Sequence, residues 1–143
     1  MNEVLAQEVL NHQLNGIMLH AGMLDLFIAL DMPKLERIQE RQLIDEITTH
    51  VKTKREVFCC KGKMIQAKAG VAPDISIKPA ETEEEKKSIA RQTVRKWRDW
   101  EVKTIALYAK ACQQNADCKL WAKLRRNVEK EIKNIDRILC KIS

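Results

Sequence analysis

The stretch that decides the fold is CCKGKMIQAKAGVAPDISIKPAE, Cys59–Glu81. It contains Gly62, Gly70, Pro73 and Pro79, and a short β-branched patch at Ile75-Ser76-Ile77. Its roughly 20 residues are too many for a tight turn, and connections of that length are functional, disordered or needed to span a distance. On both sides of it, apolar residues recur at threes and fours, the period of a helix packed on one face.

Before the stretch lie two helical segments. The first covers about residues 2–31, with Leu5, Val9, Leu10, Leu14, Ile17, Leu24, Phe27 and Ile28 as its stripe. Pro33 ends it and suits the first turn of the next helix. The second covers about 33–58, with Leu35, Ile38, Leu43, Ile47 and Val51. A joint this short predicts antiparallel packing. After the stretch, Thr82-Glu83-Glu84-Glu85 reads as a capping box, and three acids suit the positive end of a helix. The third segment, about 82–113, carries Ile89, Val94, Trp97, Glu101, Ile105, Tyr108 and Cys112. Asp117 is the expected N-cap of the fourth, about 117–142. Its stripe is Leu120, Leu124, Val128, Ile132, Ile135, Leu139 and Ile142.

Short, long and short connections constrain the topology. A helix of about 25 residues is about 37 Å long, and some 20 extended residues at roughly 3.3 Å each can cover that length. The sequence therefore predicts an all-α fold. The expected architecture is one four-helix bundle over residues 1–143, with the 59–81 crossover making helices two and three parallel, as ferritin-like folds do.

Composition agrees. Of 143 residues, 45% are apolar, 32% charged and 4% aromatic, with 4 Gly and 3 Pro; this balance favours helix and excludes collagen, whole-chain disorder and a small disulfide scaffold. The net charge of +6 is uneven. Residues 1–85 hold 10 basic and 14 acidic side chains, and residues 86–143 hold 16 and 6. The halves coincide with the two expected hairpins, so their opposite charges can serve pairing within the bundle as well as an acidic partner. The odd count of 5 Cys, without CxxC spacing, and an opening that lacks a basic and then apolar leader fit a reducing cytoplasm. Ile17–Leu30 is too short to span a bilayer, so no membrane partner is expected. No P-loop, dinucleotide fingerprint or GxSxG occurs, which leaves no support for nucleotide-dependent or serine hydrolase chemistry.

Leu10-Asn11-His12-Gln13-Leu14-Asn15 resembles the L-N-E-Q-I-N opening of ferritin helix one. Trp100-Glu101-Val102-Lys103, Leu107-Tyr108-Ala109-Lys110-Ala111 and Asp117-Cys118-Lys119-Leu120-Trp121 resemble the Glu-bearing third helix, the joint and the start of the fourth. The likeness to the ferritin-like superfamily covers about 110 residues, the crossover excepted. It implies a four-helix bundle and a carboxylate-rich site for iron or manganese.

The chain departs from that ligand pattern. The helix-one Glu falls at Ile17. On helix two His50 is present, but Ile47 stands three residues before it and Glu46 lies one step, about 100°, away. Helix three keeps Glu101, and helix four offers Glu131 with Asn134. The expectation is therefore a non-catalytic interaction or assembly module. The alternative is a metal site rearranged around Glu101 and His50, with Glu131 or Glu46. Glu101 lies on an apolar stripe, where a carboxylate must be paired, protonated or metal-bound. His12 and His20, eight residues apart on one face, could join such a site or simply be hydrogen-bonded.

Helix four also carries a row of Lys119, Lys123, Arg126, Lys130, Lys133, Arg137 and Lys141 opposite its apolar stripe. Such a row can meet phosphates of a nucleic acid; the other reading is a solvated face whose Lys stems cover apolar surface. Trp97 and Trp100 lie about 60° apart on the helix, so an exposed Trp favouring a homo-oligomer is also expected.

Overall fold

The computed structural model describes residues 3–61, 67, 68, 70, 75, 80–114 and 119–142, and side chains within that set except 57–61. The protein is all-α: α1 spans Glu3–Ala29, α2 Pro33–Lys61, α3 Glu83–Gln114 and α4 Lys119–Ile142. Each end lies within a few residues of its expected place, and no strand occurs among the described residues. Asp117, the expected cap of α4, lies outside them. The chain divides into two compact units, Asn2–Pro79 with α1 and α2, and Ala80–Ser143 with α3 and α4.

The first unit is an antiparallel hairpin. α1 ends in a Schellman motif, with Met32 N–H donating to Phe27 C=O at 3.0 Å and Asp31 N–H to Ile28 C=O at 3.1 Å. Asp31 takes the left-handed conformation there, at φ 53°. Two rows at seven-residue spacing are buried along α1, Ala6, Gln13, His20 and Phe27, and Val9, Gly16, Met23 and Leu30. That is the repeat of helices packed side by side.

The expected face of α2 needs correction. Ile47 and Val51 are exposed, as is Ile44, while Ile38 and Leu43 are half-buried. The buried residues are Leu35, Gln39, His50 and Thr53. α2 turns its polar side inward because α1 presents Gln13 and His20 at matching heights, and mutual hydrogen bonds offset the desolvation of both sides. α1 itself keeps Leu14, Ile17 and Leu24 only half-buried and Ile28 exposed.

The long connection lies along α1 at its described points. Lys68 N–H donates to Asn11 Oδ1 at 2.7 Å and Gly70 N–H to Asn15 Oδ1 at 2.8 Å. Ile75 would meet a Cβ at Gly22 at 3.5 Å. Residues 68, 70 and 75 thus track 11, 15 and 22, running in the same direction as α1.

The second unit is also an antiparallel hairpin. Thr82 caps α3, its hydroxyl accepting from Glu85 N–H at 3.1 Å. The Glu85 carboxylate accepts from Glu81 N–H at 2.9 Å, one residue before the cap. Arg91 reaches the Ile142 carbonyl at 3.2 Å, Arg98 pairs with Asp136 at 2.7 Å, and Tyr108 meets Trp121 with ring centroids 6.1 Å apart. Leu124, Val128, Ile135 and Ile142 are buried, as the spacing of α4 predicts, whereas Leu120, Ile132 and Leu139 of the same stripe are half-buried and Trp121, outside it, is buried. The expected exposed Trp is not found: Trp97 and Trp121 are buried and Trp100 half-buried.

Candidate metal centre

Each hairpin holds its own group of buried polar side chains. In the first, His20 Nδ1 lies 2.8 Å from Gln39 Oε1. A carboxamide oxygen only accepts, so Nδ1 carries the proton and Nε2 is the lone-pair nitrogen. Nε2 stands 3.8 Å from Glu46 Oε1, with His20 fully buried and Glu46 14% exposed. Burial holds His20 below its usual value despite the pull of Glu46 and the Gln39 hydrogen bond, which keeps the ring neutral.

His50 repeats the motif with the helices exchanged. Its Nδ1 donates to Gln13 Oε1 at 3.0 Å. Gln13 Nε2 donates to Thr53 Oγ1 at 2.8 Å, and the Thr53 hydroxyl donates to the Thr49 carbonyl at 2.9 Å. Every link has one permitted direction, so this imidazole also keeps its lone pair on Nε2. Burial, and then the nearby Lys54 charge, lower its pKa. A His of α1 thus leans on a Gln of α2, and a His of α2 on a Gln of α1.

In the second hairpin Glu101 is fully buried. Burial pushes its carboxyl up to about 7, and hydrogen bonding with the Trp97 indole and with Glu131 pulls it down. Glu101 on α3 and Glu131 on α4 therefore form a carboxyl pair, in which burial makes Glu101 a weaker acid than usual.

The four metal residues expected from sequence are Glu101, His50, Glu131 and Glu46. Glu101 and Glu131 meet within the second hairpin. Glu46 meets His20, while His50, four residues further along α2, meets Gln13. The α1 residue that carries this chemistry is His20, three positions beyond Ile17. Gln13, Gln39 and Thr53 escaped the reading by apolar period. A spacing of seven connects Gln13 to His20 on α1, and Gln39 to Glu46 to Thr53 on α2; that repeat was their signal.

On α4, Lys119, Lys123, Arg126, Lys130, Lys133, Arg137 and Lys141 are all exposed, and Arg137 donates to Asn134 Oδ1 at 3.1 Å. Among the described residues, no helix is long and apolar enough to cross a membrane.

No family model, no curated protein and no solved structure matches the chain.

Proposed function

We propose that this is a ferritin-like four-helix protein that binds a first-row transition-metal ion, iron or manganese. The candidate ligands are His20 and Glu46, both in the first hairpin. The observation that carries this reading is the His20–Glu46 pair. Nδ1–H donation to Gln39 leaves the lone pair on Nε2, 3.8 Å from a carboxylate oxygen of Glu46. A metal at about 2.1 Å from each atom subtends roughly 130°, within the range of five-coordinate geometries. The Gln39 oxygen behind the ring supplies the outer hydrogen bond that metal-binding imidazoles ordinarily make. A nitrogen and a carboxylate oxygen suit manganese, iron or zinc better than a soft thiophilic ion.

The test is metal content after equilibration with Fe(II), Mn(II) or Zn(II) and gel filtration. The wild type retains a stoichiometric ion, and His20→Gln and Glu46→Gln lose it. Retention unchanged in both variants, or no retention by the wild type, overturns the reading. Glu101→Gln and Glu131→Gln report separately on the carboxyl pair.

A second reading, a non-catalytic interaction or assembly module, is favoured by the exposed Ile44, Ile47 and Val51 on α2. The two readings concern opposite faces of that helix and are compatible.

A further inference from the structure

The outward face of α2 carries more order than a solvated surface needs. Ile44, Ile47 and Val51 are 57%, 45% and 40% exposed. At about 100° per residue, Ile44 and Val51 lie almost in line, with Ile47 and Thr48 to either side. Glu40 and Arg55, both exposed, extend the ridge at its two ends. A helix with an inner polar face and an outer apolar ridge reverses the usual arrangement.

The charges beside the ridge read in chain order as Arg41, Asp45, Lys52 and Glu56, all exposed and all to one side of the Ile44–Val51 line. The order is plus, minus, plus, minus. Reversed, it is its own complement. Arg41 and Glu56 are centred between Thr48 and Thr49, and so are Asp45 and Lys52. Glu40 and Arg55 are centred one residue step earlier, with Ile44 and Val51. Among the described residues none of these six charged side chains makes a hydrogen bond or ion pair within the chain.

We propose that this face of α2 is a homodimer contact, two copies packing α2 against α2 antiparallel about a two-fold axis near Thr48. A two-fold contact must be self-complementary. The antiparallel arrangement sets Arg41 opposite Glu56 of the second copy and Asp45 opposite its Lys52, and does so twice. A parallel arrangement would put the two charged rows on opposite flanks of the contact, where they could not pair. Ile44, Ile47 and Val51 from both copies then form the dry strip that the flanking pairs cover. The contact is small, so the dimer is a reversible one that salt weakens. The inference rests on the assembly reading and sharpens it by naming surface, partner and direction.

The experiment is sedimentation equilibrium of the full chain, with helicity followed by circular dichroism. The wild type dimerises. Ile47→Asp is monomeric with unchanged helicity, because the position is exposed in the free chain. Asp45→Lys places like charges opposite each other at two symmetric points and raises the dissociation constant about tenfold or more. The double variant Asp45→Lys/Lys52→Asp restores the pairs with their signs exchanged and recovers the wild-type constant. A wild type that stays monomeric overturns the proposal. So does a dimer indifferent to Ile47→Asp, which would leave assembly standing through another surface. Failure of the double variant to recover overturns the antiparallel register.

Discussion

Replacing Glu101 by Gln should make the protein more stable at pH 8 while leaving it little changed at pH 4.5. The side chain is fully buried, and its carboxyl titrates at about 7 instead of 4.5, chiefly through burial. Between those values the folded chain holds a proton that the unfolded chain has released. Stability therefore falls as pH rises through this window, and the full loss is present above the folded pKa. The distance from 4.5 to about 7, at about 1.36 kcal/mol per unit, corresponds to about 3 kcal/mol. Glutamine has nearly the same shape and never ionises. Its advantage over the wild type should thus grow by about 3 kcal/mol between pH 4.5 and 8. Urea unfolding at several pH values, with chelator present, measures that difference directly. Parallel stability curves for the two proteins would refute the assignment of a proton to this carboxyl. Glu131→Gln serves as the companion, since that side chain hydrogen-bonds with Glu101.

Three further outcomes follow from local geometry. Asp31 sits at φ 53° in the cap of α1, where glycine carries no Cβ penalty, so Asp31→Gly should raise stability by about 0.5–1 kcal/mol; a loss in thermal unfolding would contradict the strain. Thr82→Ala removes the hydroxyl that caps Glu85 N–H and should cost about 1 kcal/mol, read as a lower urea midpoint at unchanged slope. His20 is held below its usual value of 6.5, so the unfolded state binds its proton more readily and stability is lost as pH falls below 6.5. His20→Gln, lacking that proton, should gain on the wild type as pH is lowered from 6.5, and a constant difference in midpoint would argue against a buried neutral ring.

How much of this was legible before the structure differs from helix to helix. α4 could be read directly, since Leu124, Val128, Ile135 and Ile142 recur at the helical period and Glu131, on the same face, does not interrupt it. Thr82 and Glu85 marked the start of α3 because capping is local chemistry, written in four consecutive residues. The long connection was recognised by length and by its Gly and Pro. Its path along α1 was not, because that depends on Asn11 and Asn15 meeting backbone donors more than fifty residues away. α2 misled for a physical reason. Counting apolar residues assigns the inner face to Ile47 and Val51, whereas the hairpin gains more from satisfying Gln13 and His20 than from covering two more aliphatic side chains. Glu101 stands out in the sequence as a carboxyl on an apolar stripe, and it is buried. Its partner Glu131 was named, but Glu46 was matched with His50 instead of His20, since sequence spacing within one helix says nothing about the height at which the neighbouring helix presents its imidazole.

The most direct test of the central claim is calorimetric titration of the metal-free protein with Mn(II), repeated for His20→Gln and for Gln39→Ala. The wild type should bind with defined stoichiometry and release a proton only at a pH low enough for His20 to be protonated before the metal binds. His20→Gln should abolish binding, and Gln39→Ala, which loses only the hydrogen bond behind the ring, should weaken it about 10- to 100-fold. Binding that is unchanged in His20→Gln would contradict the site.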